Sequence, residues 1–329
     1  MTDRRTDEHG DSAGTNDADE PPVVTASQLA THVVCPRQHE FEYDRPITPR
    51  ATSDDRVRRR RRELLRRSIV AGLQLEDVTP DERVAAALRR LDRLWTSSEA
   101  SYLADEQAQY DEQAIRTAIE RYLSTDGHDH AEDVVDTDVT VGYERDGIRY
   151  ETTVDAVTKR DGQYLGIKYL PDMNGVLQVT WYDNNVERFH NGEGYYPRQI
   201  GSFVEAGVAI QGLINEYGLS PDYDFAYTGL LETTRPAYES TGEIHVETEQ
   251  RRFKSAFETE RDELNELIED RADAIIDGKT DPKDWRFSRI AERSCKYCAY
   301  RDGCPDWMES EMSFTDRRLS EKDGGDDGD

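Results

Sequence analysis

The segment Val135-Asp-Thr-Asp-Val-Thr-Val-Gly-Tyr143 places β-forming residues at 135, 137, 139, 141 and 143, with mostly polar residues between them. Side chains on a strand alternate between two faces, so this spacing predicts a strand with one face turned inward. Asp146-Gly147 follows, a pair that tolerates the positive φ a tight hairpin demands. A second alternating run, Ile148 to Val157, ends near another such pair, Asp161-Gly162, and a third spans Tyr164 to Leu170. Three strands joined by two Asp-Gly turns predict an antiparallel meander.

Upstream of the meander the spacing becomes helical. Arg56 to Ala71, Arg83 to Trp95 and Asp105 to Leu123 contain no proline, and in the last of them Ile115, Ile119 and Tyr122 share a side. They form a helical insertion over about residues 54–125. Before it, a short helix capped by Ser27, with Leu29 and Val33 on its buried side, runs into Cys35. Downstream come an irregular stretch (171–196) and a helix from Pro197 to Tyr217, where proline suits the first turn. Ile200, Phe203, Val204 and Val208 line one side of it. Two strand candidates, Phe225 to Leu231 and Glu243 to Val246, precede a long charged helix from Glu249 to about Ile276. The expected fold is α/β: a central mixed sheet flanked by helices, forming one domain over 25–312. Acidic disordered tails are expected at 1–24 and 313–329, and His128 and His130 in a solvent-facing loop.

Asp and Glu outnumber Lys and Arg 70 to 42, a net charge of −28, and only seven of the bases are lysines. Many carboxylates and few lysines read as a surface adapted to concentrated salt, a halophilic signature. At molar salt the screening length falls to roughly 3 Å, so an acidic total does not exclude nucleic acid as a partner. No apolar run approaches the ~18 residues of a membrane span, and the polar opening carries no secretory signal. A cytoplasmic, membrane-free protein is expected.

The chain has four cysteines. Cys295, Cys298 and Cys304 form a C-x2-C-x5-C run; Cys35 lies 260 residues before it, in Val-Val-Cys-Pro-Arg. A disulfide is disfavoured in a reducing compartment. Structural zinc usually draws on two local C-x2-C knuckles. A four-iron cluster needs any four converging thiolates and tolerates a distant fourth. A zinc site and an unrelated buried Cys35 remain as alternatives.

Three further constellations stand out. Asp155 lies on the second strand and Lys168 on the third, where strand alternation puts Lys168 on the same face as Gly166. The pair reads either as a cross-strand salt bridge or as part of a divalent-ion site acting on a phosphodiester. Gln199 and Phe203, four apart, share a helix face. The block Arg56-Val-Arg-Arg-Arg-Arg-Arg-Glu-Leu-Leu-Arg-Arg67 offers its arginines, Arg58, Arg59, Arg60, Arg61 and Arg62 above all, either to phosphates or to a solvated helix face.

Taken together, the Ser-x-Leu then Cys-Pro-Arg opening, a strand with Asp, a strand ending in Lys, the Gln-x3-aromatic helix and C-x2-C-x5-C resemble the iron–sulfur branch of the RecB-like PD-(D/E)xK nucleases. That branch includes CRISPR-associated adaptation exonucleases and AddB-type nuclease domains. The resemblance covers residues 25 to about 310 and implies a restriction-endonuclease-like sheet. It implies a metal-dependent nuclease acting on DNA ends or single strands, alongside helicase, DNA-repair or CRISPR partner proteins. A 4Fe-4S cluster on Cys35, Cys295, Cys298 and Cys304 would close the two ends of the domain. Asp155 would bind Mg2+ or Mn2+, Ile167 would add its backbone carbonyl, Lys168 would orient the nucleophile, and Gln199 would help to bind DNA.

The chain departs from that pattern at three places. Gly166 stands where the acid of (D/E)-x-K belongs, Arg56 to Leu73 lacks the histidine the family places before the sheet, and Phe203 replaces a tyrosine. Glu151 is four strand residues from Asp155, about 13 Å away. Asp172, Asp183 and Glu187 are the downstream acids that could fold back. Three readings result: an active nuclease with a displaced acid, a catalytically degenerate DNA-binding relative, and a zinc-stabilised interaction or scaffold protein.

Overall fold

A computed structural model describes residues 21–49, 53–96, 102, 104–179, 184–219, 222–232, 244 and 246–311. Most of both acidic tails, and Asp183, lie outside the described residues.

In chain order the elements are β1 (Val23–Thr25), α1 (Ala26–Val34), α2 (Pro36–His39), α3 (Ser53–Leu73), α4 (Pro80–Thr96), α5 (Asp105–Leu123) and α6 (Asp126–Glu132). The meander follows as β2 (Val134–Arg145), β3 (Ile148–Arg160) and β4 (Gln163–Leu170), then α7 (Asn185–Asn191) and α8 (Pro197–Tyr217). The chain continues through β5 (Asp222–Glu232), β6 (Glu247–Arg252), α9 (Lys254–Thr259), α10 (Arg261–Ile276) and α11 (Phe287–Arg293).

Both hairpins of the meander turn on Asp-Gly pairs in the left-handed region: Asp146 (φ 51°) with Gly147 (φ 77°), and Asp161 (φ 51°) with Gly162 (φ 82°). β2 pairs antiparallel with β3 and β3 with β4; β5 joins β4 in parallel, which requires the crossover through α7 and α8. β6 closes that side antiparallel to β5. β1 runs parallel to β3 but covers only Arg149–Glu151, whereas β4 covers Ala156–Arg160. Residues 152–155 of β3 therefore lie in a notch between the ends of two strands.

The sheet is covered on both faces. On one, α8 packs with α1 and α10 over Val154, Val157, Tyr164 and Phe225. On the other, α3, α4 and α5 cover Ala156, Leu165, Ile167, Tyr169 and Ala226. Among the described residues no helix is long and apolar enough to cross a membrane.

Several expectations need correction. The first helix is capped by Thr25, not Ser27: Thr25 and Gln28 exchange side-chain and backbone hydrogen bonds in a capping box, so the helix begins at Ala26. The N-terminal segment is structured from β1 onward, because Val24 is buried against the core. Val135 is exposed rather than inward, since a bulge between Val134 and Asp136 shifts the register. His128 and His130 sit on α6, and His130 Nδ1 is 2.7 Å from the buried Tyr122 hydroxyl.

Among the described residues the last strand is Glu247–Arg252, which consumes the start of the expected long helix; of the candidate Glu243 to Val246, Glu243 and His245 lie outside the described residues, and Ile244 and Val246 belong to no strand. Pairing with the edge of β5 outweighs the helical propensity of Glu-Gln-Arg-Arg. The rest of that helix breaks at Glu260, whose buried carboxylate accepts the backbone N–H of Val186 and the side-chain amide of Asn185, both at 2.8 Å.

Candidate functional site

Several of the sheet's buried polar residues lie at or beside the notch in β3, Thr152, Asp155 and Lys168 among them. Asp155, 2% exposed, turns its carboxylate to the end of β4, where Oδ2 accepts the backbone N–H of Tyr169 at 2.7 Å. Its Oδ1 lies 3.7 Å from Arg66 on α3. Lys168, the residue before Tyr169, points to the opposite face and meets Glu205 of α8 in an ion pair. Tyr227 of β5 donates its hydroxyl to Glu205 Oε2, and Thr152 Oγ1 donates to Oε1 at 3.5 Å. Asp155 and Glu205 both lie in the field of Lys168 and of Arg62.

Glu205 is the acid that the sequence reading missed. Gly166 explains why the strand cannot supply one. A Cβ there would stand 2.9 Å from Leu213 Cδ1 of α8, and one on Gly212 would stand 2.8 Å from the backbone N of Gly142. The helix thus lies close against the sheet, and a side chain at position 166 would have to displace the Leu213 methyl. The same close approach lets a helix side chain reach the lysine. A signal was present: Glu205 is the only charged residue from Ile200 to Ile214. The other candidates have local partners instead: Asp172 accepts the N–H of Asn174, Glu187 the amide of Asn184, and Glu151 the Arg149 guanidinium.

The two carboxylates are shifted in opposite directions. Burial raises Asp155 above the usual carboxylate range; the Tyr169 N–H, Lys168, Arg62 and Arg66 offset this only in part. Burial alone would also raise Glu205, but Lys168, the Tyr227 hydroxyl and Arg62 together hold it below its ordinary value. Tyr227, buried beside that carboxylate, is pushed well up.

Gln199 is half-buried in the first turn of α8. It lies about 240° around the helix from Glu205, and among the described residues no hydrogen bond or ion pair joins it to the carboxylates. Phe203 is buried against Phe253 and offers nothing to the site. Ile167 turns its side chain into the core on the α3 and α5 side.

The arginine block divides by function. Arg58 and Arg59 are exposed. Arg60 stacks 4.7 Å over the Trp95 ring and donates to the Trp95 carbonyl, and Arg61 pairs with the buried Asp111; both hold α3 to its neighbours. Arg62 and Arg66, on another face of α3, overlook the carboxylates. Beyond Arg66 a polar cleft is lined by Arg66, Arg67, Arg90 and Arg93, with Glu63 and Asp138.

The four cysteines come together. Cys35, Cys295, Cys298 and Cys304 line one mostly apolar cavity, between the start of α2 and the turns that follow α11. All four are free thiols. Burial, with the neighbouring sulfurs, pushes Cys35 and Cys295 up to about 12. Around the cavity Arg37 pairs with Asp306 and Glu40, tying the N-terminal segment to the C-terminal one. Among the described residues no three His, Cys, Asp or Glu side chains form a ready ligand set for a metal ion.

No family model matches the chain, and no curated protein matches it. Among solved structures, the crystal structure described as "Putative exonuclease" from Eubacterium rectale matches 91% of this chain and 94% of its own, at 10% sequence identity and a TM-score of 0.47. The architecture itself is a mixed α/β fold, a six-stranded mixed sheet with helices on both faces.

Proposed function

We propose that the chain is a divalent-metal-dependent DNA nuclease whose second carboxylate is supplied by Glu205. One observation carries the reading: Glu205 pairs with Lys168 beside the notch that holds Asp155, and both carboxylates lie in the field of Lys168 and Arg62, although the strand position two before the lysine is a glycine.

The donor set suits magnesium or manganese. Asp155 and Glu205 are hard oxygen ligands, the backbone carbonyl of Ile167 would add a third, and such ions complete their shell with water and substrate oxygens. A bound ion would polarise a phosphoryl oxygen and lower the pKa of a coordinated water. The protein's own residues do the rest. Lys168 places a positive charge beside the attacked phosphate and keeps Glu205 ionised. Tyr227 and Thr152 fix the Glu205 rotamer. Arg62 and Arg66 draw a phosphodiester toward the carboxylates, and the cleft beyond them would hold the rest of the strand.

The four thiols suit a 4Fe-4S cluster, because four cysteines from two distant parts of the chain line one cavity. Such a group would clasp the termini over the sheet. A single zinc is the second reading for that cavity, and anaerobically purified protein separates the two: brown with four irons, or colourless with one zinc. A catalytically silent DNA-binding protein is the second reading for the carboxylates.

The deciding experiment is manganese-dependent cleavage of single-stranded DNA by the full chain and by Glu205→Gln. Cleavage that vanishes in the variant supports the reading. An equal rate in the variant removes Glu205 from the mechanism, and no cleavage by either protein leaves the silent DNA-binding reading in its place.

A further inference from the structure

Away from the carboxylates, a cavity of about 210 Å³ opens between α7, α10 and the turn Pro282–Trp285. Its floor is Arg271 of α10, 6% exposed, with the guanidinium stacked 3.6 Å over the Trp285 ring. The stack satisfies the flat face of the guanidinium and not its N–H edge. Arg271 Nε and Nη1 are buried with no hydrogen-bond partner, and so is Trp285 Nε1. Both side chains can only donate, so neither satisfies the other. Burial pulls Arg271 down to about 10, and the neighbouring Tyr195 and Asp270 offset this only in part.

A second cation is brought to the same cavity by an unusual backbone. Arg286 adopts φ 60°, a left-handed conformation that costs a non-glycine residue strain and clusters at ligand sites. Its guanidinium lies over Gly192 (φ 74°), where a Cβ would stand 2.6 Å from Nη1. His190 and the stacked pair Phe189 and Tyr195, with ring centroids 5.0 Å apart, complete the wall.

We propose that this cavity binds a single phosphate group, with Arg271 and Arg286 as its charged donors and Trp285 as a neutral one. Asp270 and Asp284 are exposed at the rim. They disfavour a continuous nucleic-acid strand, whose next phosphates would meet them, and confine the ligand to one terminal or free phosphate. The chemistry is shared by inorganic phosphate and a nucleoside 5′-monophosphate, whose base would lie on the aromatic wall. The inference is independent of the nuclease reading, because no residue of the notch lines this cavity.

The test is calorimetric titration of the full chain, without added divalent metal and at fixed ionic strength, with inorganic phosphate, deoxyadenosine 5′-monophosphate and deoxyadenosine. Both phosphates should bind saturably at one site and the nucleoside should not. Tighter binding of the nucleotide assigns the aromatic wall to the base; equal binding assigns the site to the phosphate alone. Arg271→Gln should weaken binding by roughly tenfold or more, the loss of a charged hydrogen bond. Arg286→Gly is the variant that must fold: it relieves the left-handed strain, so it should melt no lower than the parent while binding phosphate about tenfold more weakly. No saturable binding of either phosphate, equal binding of the nucleoside, or unchanged affinity in Arg286→Gly would each overturn the proposal.

Discussion

Lys168 of β4 and Glu205 of α8 are paired across the strand–helix interface, with side chains 11% and 16% exposed. A shielded pair of this kind is revealing because each partner leaves the other uncompensated when it is removed. Such losses cost ~3–5 kcal/mol for fully buried pairs. The partial exposure here puts Glu205→Ala nearer ~2–3 kcal/mol. Lys168→Met combined with Glu205→Leu should recover much of that stability, and no activity. Urea unfolding of the two singles and the double measures the coupling; additive losses would mean that the ion pair does not hold α8 to the sheet.

Asp155 gives a pH test with a definite sign. Its folded-state pKa lies above its ordinary value, so the folded chain holds that proton more tightly than the unfolded one does. The group's contribution is fully present below the usual carboxylate value near 3.8 and is lost as pH rises through the raised one. Asp155→Asn should therefore raise the melting temperature at neutral pH, and the gain should disappear in acid. The same variant should lose manganese-dependent cleavage by ~100-fold or more. A variant less stable than the parent at pH 7 would contradict the burial argument.

The two halves of the arginine block should fail differently. Arg62→Ala and Arg66→Ala are expected to flatten the salt dependence of single-stranded DNA affinity, by about 0.7 in log–log slope for each lost phosphate contact. Arg60→Ala should leave the slope alone and lower stability, because its stacking on Trp95 is internal. Titrations at several salt concentrations, paired with melting curves, separate the two groups. An unchanged slope in Arg62→Ala would return that residue to a purely electrostatic role inside the fold.

Thiol reactivity tests the cysteine cavity. The thiolate is the reactive form, and Cys35 and Cys295 are pushed up to about 12 by burial. In folded chain stripped of metal, Cys298, the half-buried member, should alkylate first at pH 8, with Cys35 and Cys295 far slower than in urea. Protein holding a cluster should protect all four. Mass spectrometry after a short pulse of iodoacetamide reads the order, and rapid labelling of Cys35 in folded protein would place it outside the cavity.

Much of this was legible in the sequence because it is encoded locally. Two Asp-Gly pairs set the meander, and Pro197 to Tyr217 was readable to its ends because proline opens it and Gly218 closes it. The four cysteines, far apart in the chain, share one cavity. The acid partner of Lys168 was hidden because it depends on how closely a helix approaches a sheet, which two glycines decide from a distance in the chain. β6 was misread for a related reason: its polar residues make a strand only because the edge of β5 needs a partner. The arginine run gave no sign that Arg60 and Arg61 turn inward, since Trp95 and Asp111 come from other helices.

The short parallel pairing of β1 with β3 also bears on the order of events in folding. The meander closes through two-residue turns, while β1 must find a partner 126 positions away, from Val23 to Arg149, and Cys35 must find Cys295. Closing long loops is slow, so hydrogen-exchange protection should reach the hairpins first and the amino-terminal strand last. The recess that holds Asp155 is bounded by that late strand. Chains truncated before Cys295 should therefore contain the hairpins while the amino-terminal strand beside that recess is slow to dock.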